Sequence, residues 1–169
     1  GNGVLLAADD ADVKAVFETA PGRLKLQMRI EDASSRVVDT DVRDLIVNPL
    51  NGPVALGTAE IIRARSARDV RSVGTESDAV PTSGREFSRS ERLLIRVPAY
   101  APDGKPAMSA RLVGKPGAVM RTLPIVEVPS SNLYQIDLPL AGLASGSYVV
   151  QFAVKSSAEV SCFERWRIP

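Results

Sequence analysis

Apolar and polar residues alternate along much of this chain. From Leu24 to Glu31 it reads LKLQMRIE, with Leu24, Leu26, Met28 and Ile30 set between Lys25, Gln27, Arg29 and Glu31. A period of two is the pattern of a strand with one buried face. Asp32 to Ser35 supplies turn residues, and Arg36 to Val47 resumes with Val38, Val42, Leu45 and Val47 among its apolar positions. These two segments predict a hairpin. KAVFET, residues 14–19, predicts an earlier strand stopped by Pro21-Gly22, and residues 54–65 predict a later one after the breaker NPLNGP. Ser66 to Val73 (SARDVRSV) predicts one or two helical turns, with Ser66 as N-cap and Asp69 closing a capping box.

Residues 74–86, GTESDAVPTSGRE, are polar and hold Gly, Pro and Ser, the composition of a linker. Beyond them the strand rhythm returns. Glu91–Tyr100, Met108–Val113, Val119–Val128, Tyr134–Leu140, Ser147–Lys155 and Val160–Ile168 all predict strands, separated by turns such as GKPG, PSSN and AGLASG. Pro98 suggests that Glu91–Tyr100 is an edge strand or carries a bulge. Short strands at even spacing, with no long amphipathic helix, predict an all-β fold rather than an α/β enzyme scaffold. The expected form is an antiparallel β-sandwich of immunoglobulin or fibronectin type, in two lobes. Residues 1–73 would form an N-terminal β lobe, an incomplete sandwich, 74–86 a linker, and 87–169 the sandwich proper. GRLKLQMRI (Gly22 to Ile30) and ERLLIRV (Glu91 to Val97) open the two halves alike. A lobe as small as the first buries too little surface to be more than marginal alone. In LAGLASGSY, Tyr148 stands where such sandwiches place a tyrosine corner, its hydroxyl turned back to the preceding connection.

Composition changes the picture mainly by exclusion. The 169 residues include 44% hydrophobic and 24% charged types, ordinary for a folded protein, and the net charge is +1. That balance is not the footprint of a nucleic-acid binder, and no apolar run reaches the roughly 18 to 20 residues that span a bilayer. The opening GNGVLLAADD lacks the basic start and long apolar core of an export signal, which decides nothing about export. There is no histidine and one cysteine, Cys162. A histidine-based triad, a Cys–His pair and the common zinc sites are therefore excluded, and Cys162 reads as a small buried hydrophobe.

The remaining candidates each have a plainer reading. Asp32, Asp39, Asp41 and Asp44 could ligate a hard cation; a polar hairpin turn with solvated acids accounts for them as well. Asp32-Ala33-Ser34 begins like the DxSxS metal motif of von Willebrand type A domains, but Arg36 occupies the last position. Arginines 63, 65, 68, 71, 85, 89, 92 and 96 lack the interleaved aromatics of a nucleic-acid groove and share their stretch with acids. They read as ion-paired surface residues. Glu127, Asp137, Glu159 and Glu164 would have to face one another in a pair to hydrolyse a glycoside. Tyr100, Tyr134 and Trp166 could form a sugar platform if exposed, and core or edge packing if not.

Several stretches together carry a resemblance: GRLKLQMRIEDASSRVVDTDVRDLIV, ALGTAEIIRARSARDV, AVPTSGREFSRSERLLIRVPAY and YQIDLPLAGLASGSYVVQFAVK. Over most of residues 14–168 the chain resembles the C-terminal region that follows the von Willebrand type A domain in bacterial VWFA-related domain proteins. That resemblance implies a non-catalytic accessory sandwich of an exported protein, secreted or periplasmic, which presents its type A domain or contacts a protein partner. It brings no catalytic, cofactor or metal residue with it, since the type A metal motif fails at Arg36. A carbohydrate- or ligand-binding sandwich is the alternative expectation. Neither nucleic-acid binding nor membrane insertion is expected.

Overall fold

The computed structural model describes residues 15–49, 52–75, 79–102, 104–115, 117–129, 131–154 and 160–169. The chain divides into two units, one of Val16–Gly52 and one containing Pro53–Pro169.

The smaller unit is the expected hairpin. Strands β1 (Gly22–Glu31) and β2 (Val37–Val47) pair antiparallel, with Leu24 opposite Leu45, Leu26 opposite Arg43 and Met28 opposite Asp41. Asp32 builds the turn. Its Oδ1 accepts the backbone N–H groups of Ser34 (2.8 Å) and Arg36 (3.1 Å), and its carbonyl accepts Ser35 N–H. This is an Asx turn, and it lets Ser35 hold a left-handed φ of 62°. Residues 15–19 of the expected KAVFET strand take no strand conformation, and Lys14 lies outside the described residues. Val16 and Phe17 are exposed, and no described strand pairs with this segment.

The larger unit is a two-sheet sandwich. Its elements are β3 (Ala55–Leu56), β4 (Glu60–Ala64), α1 (Ala67–Thr75), β5 (Arg92–Tyr100), β6 (Met108–Val113), β7 (Val119–Leu123), β8 (Val126–Glu127), β9 (Leu133–Pro139), β10 (Gly146–Val154) and β11 (Val160–Ile168). The first sheet runs β3-β5-β9-β8, with β4 also on β5, and the second runs β11-β10-β6-β7. Every pairing within these sheets is antiparallel. With β3 and β4 together as strand A, the orders are A-B-E-D and G-F-C-C′, those of an immunoglobulin-type sandwich. Leu93, Ile95, Ile136 and Leu138 of the first sheet meet Leu112, Val150, Phe152 and Trp166 of the second in one core.

Two expected strands are interrupted, each for a local reason. Residues 54–65 split at Gly57, which lies against Pro98: a Cβ there would stand 2.4 Å from Pro98 Cγ. β5 is thus a central strand. Pro98 is tolerated because β3 and β4 break opposite it, where no ladder N–H is required. Residues 119–128 split at Pro124, where the chain crosses from the second sheet (β7) to the first (β8).

β5 is buried on both faces because α1 packs on its outer side, where Val70 meets Ile62, Ala64 and Leu94. The helix starts as its sequence predicts. Asp69 N–H donates to Ser66 Oγ (3.1 Å), and Asp69 Oδ2 accepts Ser66 N–H (3.0 Å). The Ser66 hydrogen bond, and then that from the Arg65 backbone, hold the Asp69 carboxyl below its usual range.

Tyr148 forms the corner. Its hydroxyl donates to the carbonyl of Ala144 at 2.7 Å, and its ring lies 6.1 Å from that of Trp166. Tyr148→Phe should lower stability by about 1 kcal/mol, the net worth of one hydrogen bond. An unchanged melting temperature would remove the corner from the list of stabilising contacts.

Candidate interaction surface

Most residues that could carry chemistry are engaged in holding the fold. In the hairpin, Asp39 and Asp41 share one face while Asp44 lies on the other. Asp32 anchors the turn and also pairs with Arg36, Asp41 pairs with Arg43, and Asp44 pairs with Lys25. Among the described residues no three metal-ligating side chains converge. Asp137 takes a two-pronged contact from Arg92 (3.1 and 2.8 Å), Glu164 pairs with Arg85 (2.8 Å), and Glu127 pairs with Lys105 (3.4 Å). Each of these carboxylates has its own cation. Glu159 lies outside the described residues. Cys162 is half-buried, and burial, then the nearby Glu164, pushes its thiol pKa up, away from nucleophilic character.

Tyr134 and Trp166 take the core packing weighed against a sugar platform, so the three aromatics do not assemble one. Trp166 and Tyr134 belong to the core, where the Tyr134 hydroxyl donates to the carbonyl of Pro106 at 2.7 Å. Burial raises the Tyr134 pKa. Tyr100 is exposed.

The arginine-rich stretch has a structural use that its charge alone did not reveal. Thr82 N–H donates to the carbonyl of Ile61, and Phe87 N–H to that of Arg167. Arg167 N–H donates to the carbonyl of Arg85, and Glu86 bridges Arg167 in parallel fashion. Residues 79–86, linker-like in composition, are thus strapped onto the sandwich. They deliver Phe87, 1% exposed, to the core. Arg63 fastens the strap, bonding Glu91 (2.7 Å), Thr82 Oγ1 (3.2 Å) and the carbonyl of Glu86 (2.9 Å), with its guanidinium 4.4 Å from the centre of the Phe87 ring. Arg96 is buried under α1.

What remains open is the outer face of the second sheet. The first sheet is covered there by α1, whereas the second carries no helix among the described residues. The ladders place Arg165, Val149, Val113 and Val119 in one row across all four strands. Gln151, Arg111 and Thr122 form the next row. Arg165, Val149, Val113, Val119 and Gln151 line a shallow depression of about 480 Å³. Among the described residues neither Arg111 nor Arg165 enters an ion pair, whereas Arg167, on the same face of β11 as Arg165, pairs with Glu86. The sequence carried one signal of this surface. In YVVQFAV, Val149 and Ala153 are apolar on the parity opposite to Val150, Phe152 and Val154, which a strand with a wet outer face does not require.

Strand order, shared core and tyrosine corner together define an immunoglobulin-like β-sandwich whose second sheet carries, on its outer face, a valine row beside a row that holds Arg111. A scan of protein-family models finds none that matches the chain, and a search of curated proteins finds no match.

Proposed function

We propose that the chain is a non-catalytic accessory module of an exported protein, secreted or periplasmic, that works by contacting a protein partner through the outer face of its second sheet. The observation that carries this reading is the valine row of Val113, Val119 and Val149, set in a depression beside Arg111 and Arg165, neither of which is ion-paired among the described residues. Apolar side chains with arginine among them are enriched at protein interfaces. The cations select a partner surface with carboxylates around an apolar knob. The resemblance to the region after the type A domain of VWFA-related proteins names the partner to try first, such a type A domain.

Titration calorimetry of the chain against a type A domain from a VWFA-related protein tests this. Val149→Asp and Arg165→Glu should each weaken binding about tenfold or more, while Arg68→Glu on α1 should leave it unchanged. Absence of binding, or equal affinity for all three variants, would overturn the reading.

A further inference from the structure

The hairpin leaves both of its strand edges unpaired among the described residues, and its apolar side chains are poorly covered. Val38 is 62% exposed, Val42 50% and Ile46 75%. All three belong to β2, and Val42 and Ile46 face Gln27 and Arg23 of β1, which do not shield them. A two-stranded ribbon is marginal in water without a further strand or a packed face.

We propose that the β2 edge pairs antiparallel with the β2 edge of a second copy of this chain, across a twofold axis at Val42. Two copies related by such an axis present the same faces, so residues opposite each other must share a parity. With Val42 opposite Val42, Asp41 of each copy faces Arg43 of the other, twice over. Thr40 then faces Asp44, and Val38, at the bulge that ends the regular ladder, comes level with Ile46. On that face the Val42 pair stands at the axis, with the Thr40–Asp44 pairs between it and the outer Val38–Ile46 pairs. The neighbouring registers each carry a clash at the axis. An axis at Asp41 sets carboxylate against carboxylate, although Asp39 then faces Arg43, and one at Arg43 sets guanidinium against guanidinium. Self-pairing of β1 is also disfavoured. An axis at Leu26 opposes Arg23 to Arg29, and one at Gln27 opposes Lys25 to Arg29, each twice. Like charges directly opposite destabilise a sheet, and cations along an edge are a common device against pairing. Around those two axes β1 brings like charges together, whereas around Val42 β2 is self-complementary. The result is a four-stranded sheet, β1-β2-β2-β1, with the Leu24, Leu26, Met28 and Ile30 rows of both copies on one side.

Sedimentation equilibrium of the whole chain should show a monomer–dimer equilibrium. Arg43→Asp should weaken it about tenfold, because one substitution acts twice across the axis. The double exchange Asp41→Arg with Arg43→Asp should restore it. In a Cys162→Ser background, Val42→Cys should oxidise to a covalent dimer. Cα atoms directly opposite in antiparallel strands are about 4.5–5.5 Å apart, within disulfide reach. Gln27→Cys, across the hairpin from Val42, should not. A monomer at every concentration overturns the proposal. So does crosslinking of Gln27→Cys as readily as of Val42→Cys, or failure of the double exchange to restore the dimer in a chain whose circular dichroism is unchanged.

Discussion

Phe87→Ala is expected to destabilise the sandwich by about 3–5 kcal/mol, the range for removing a buried phenylalanine from a core. Phe87 is 1% exposed and sits in the same cluster as Leu93, Ile95, Leu140 and Trp166. Truncation would leave a cavity beneath the strap and remove the ring face on which Arg63 rests. The strap itself gives that cavity little chance to close, because Phe87 N–H and the carbonyl of Arg85 are both bonded to Arg167. Trp166, the single tryptophan, lies in this core and reports on it alone. Its fluorescence in urea would show the midpoint falling with the slope unchanged. A surface linker residue would move the midpoint by an amount worth about 0.5 kcal/mol at most. A shift that small would mean that Phe87 does not anchor the core.

Phe87 also marks where reading this sequence stops working. The strands of the sandwich are visible because burial is periodic: Tyr148, Val150, Phe152 and Val154 face the core in turn. The capping box of α1 is visible because Ser66 and Asp69 need only local geometry to bond. Phe87 sits among Gly, Pro, Ser and Arg with no period around it, so nothing local distinguishes a plug from a loop residue. Its burial depends on β11, which arrives some eighty residues later in the chain. The same holds for Gly57 and Pro98, whose fit is set by a strand pairing. It holds too for Pro124, which lies inside the single strand predicted for Val119–Val128 and in fact carries the chain between sheets. The candidate interface was half legible. The alternation shows that Val113 and Val149 point outward, but only the topology shows that α1 packs on the other sheet.

Arg96→Met is expected to cost about 1.5–3 kcal/mol, the worth of a hydrogen bond to a charged group. Arg96 is 3% exposed on the outer side of β5, opposite Glu60 on β4 and Gln135 on β9. Its Nη2 donates to the carbonyl of Val73 in the last turn of α1. The last carbonyls of a helix have no partner within the helix, and a cation there also meets the negative end of the dipole. Methionine fills much of the same space, so the loss isolates the donor from the packing of the arginine stem. Arg96→Lys should recover only part, since an ammonium lacks the planar fork that reaches several acceptors at once. Arg92 is the internal contrast. Its pair with Asp137 is partly solvated, and Arg92→Met should cost about 1 kcal/mol or less. Amide exchange separates a local effect from a general one. In Arg96→Met the Val70 N–H, bonded to the carbonyl of Ser66, should lose protection before the β9 and β10 amides do. Buried ions replaced by apolar residues of similar size sometimes leave stability unchanged. If Arg96→Met does so, with Val70 still protected, then α1 is held to the sheet by Val70, Ile62 and Leu94 alone, and the arginine beneath it is dispensable.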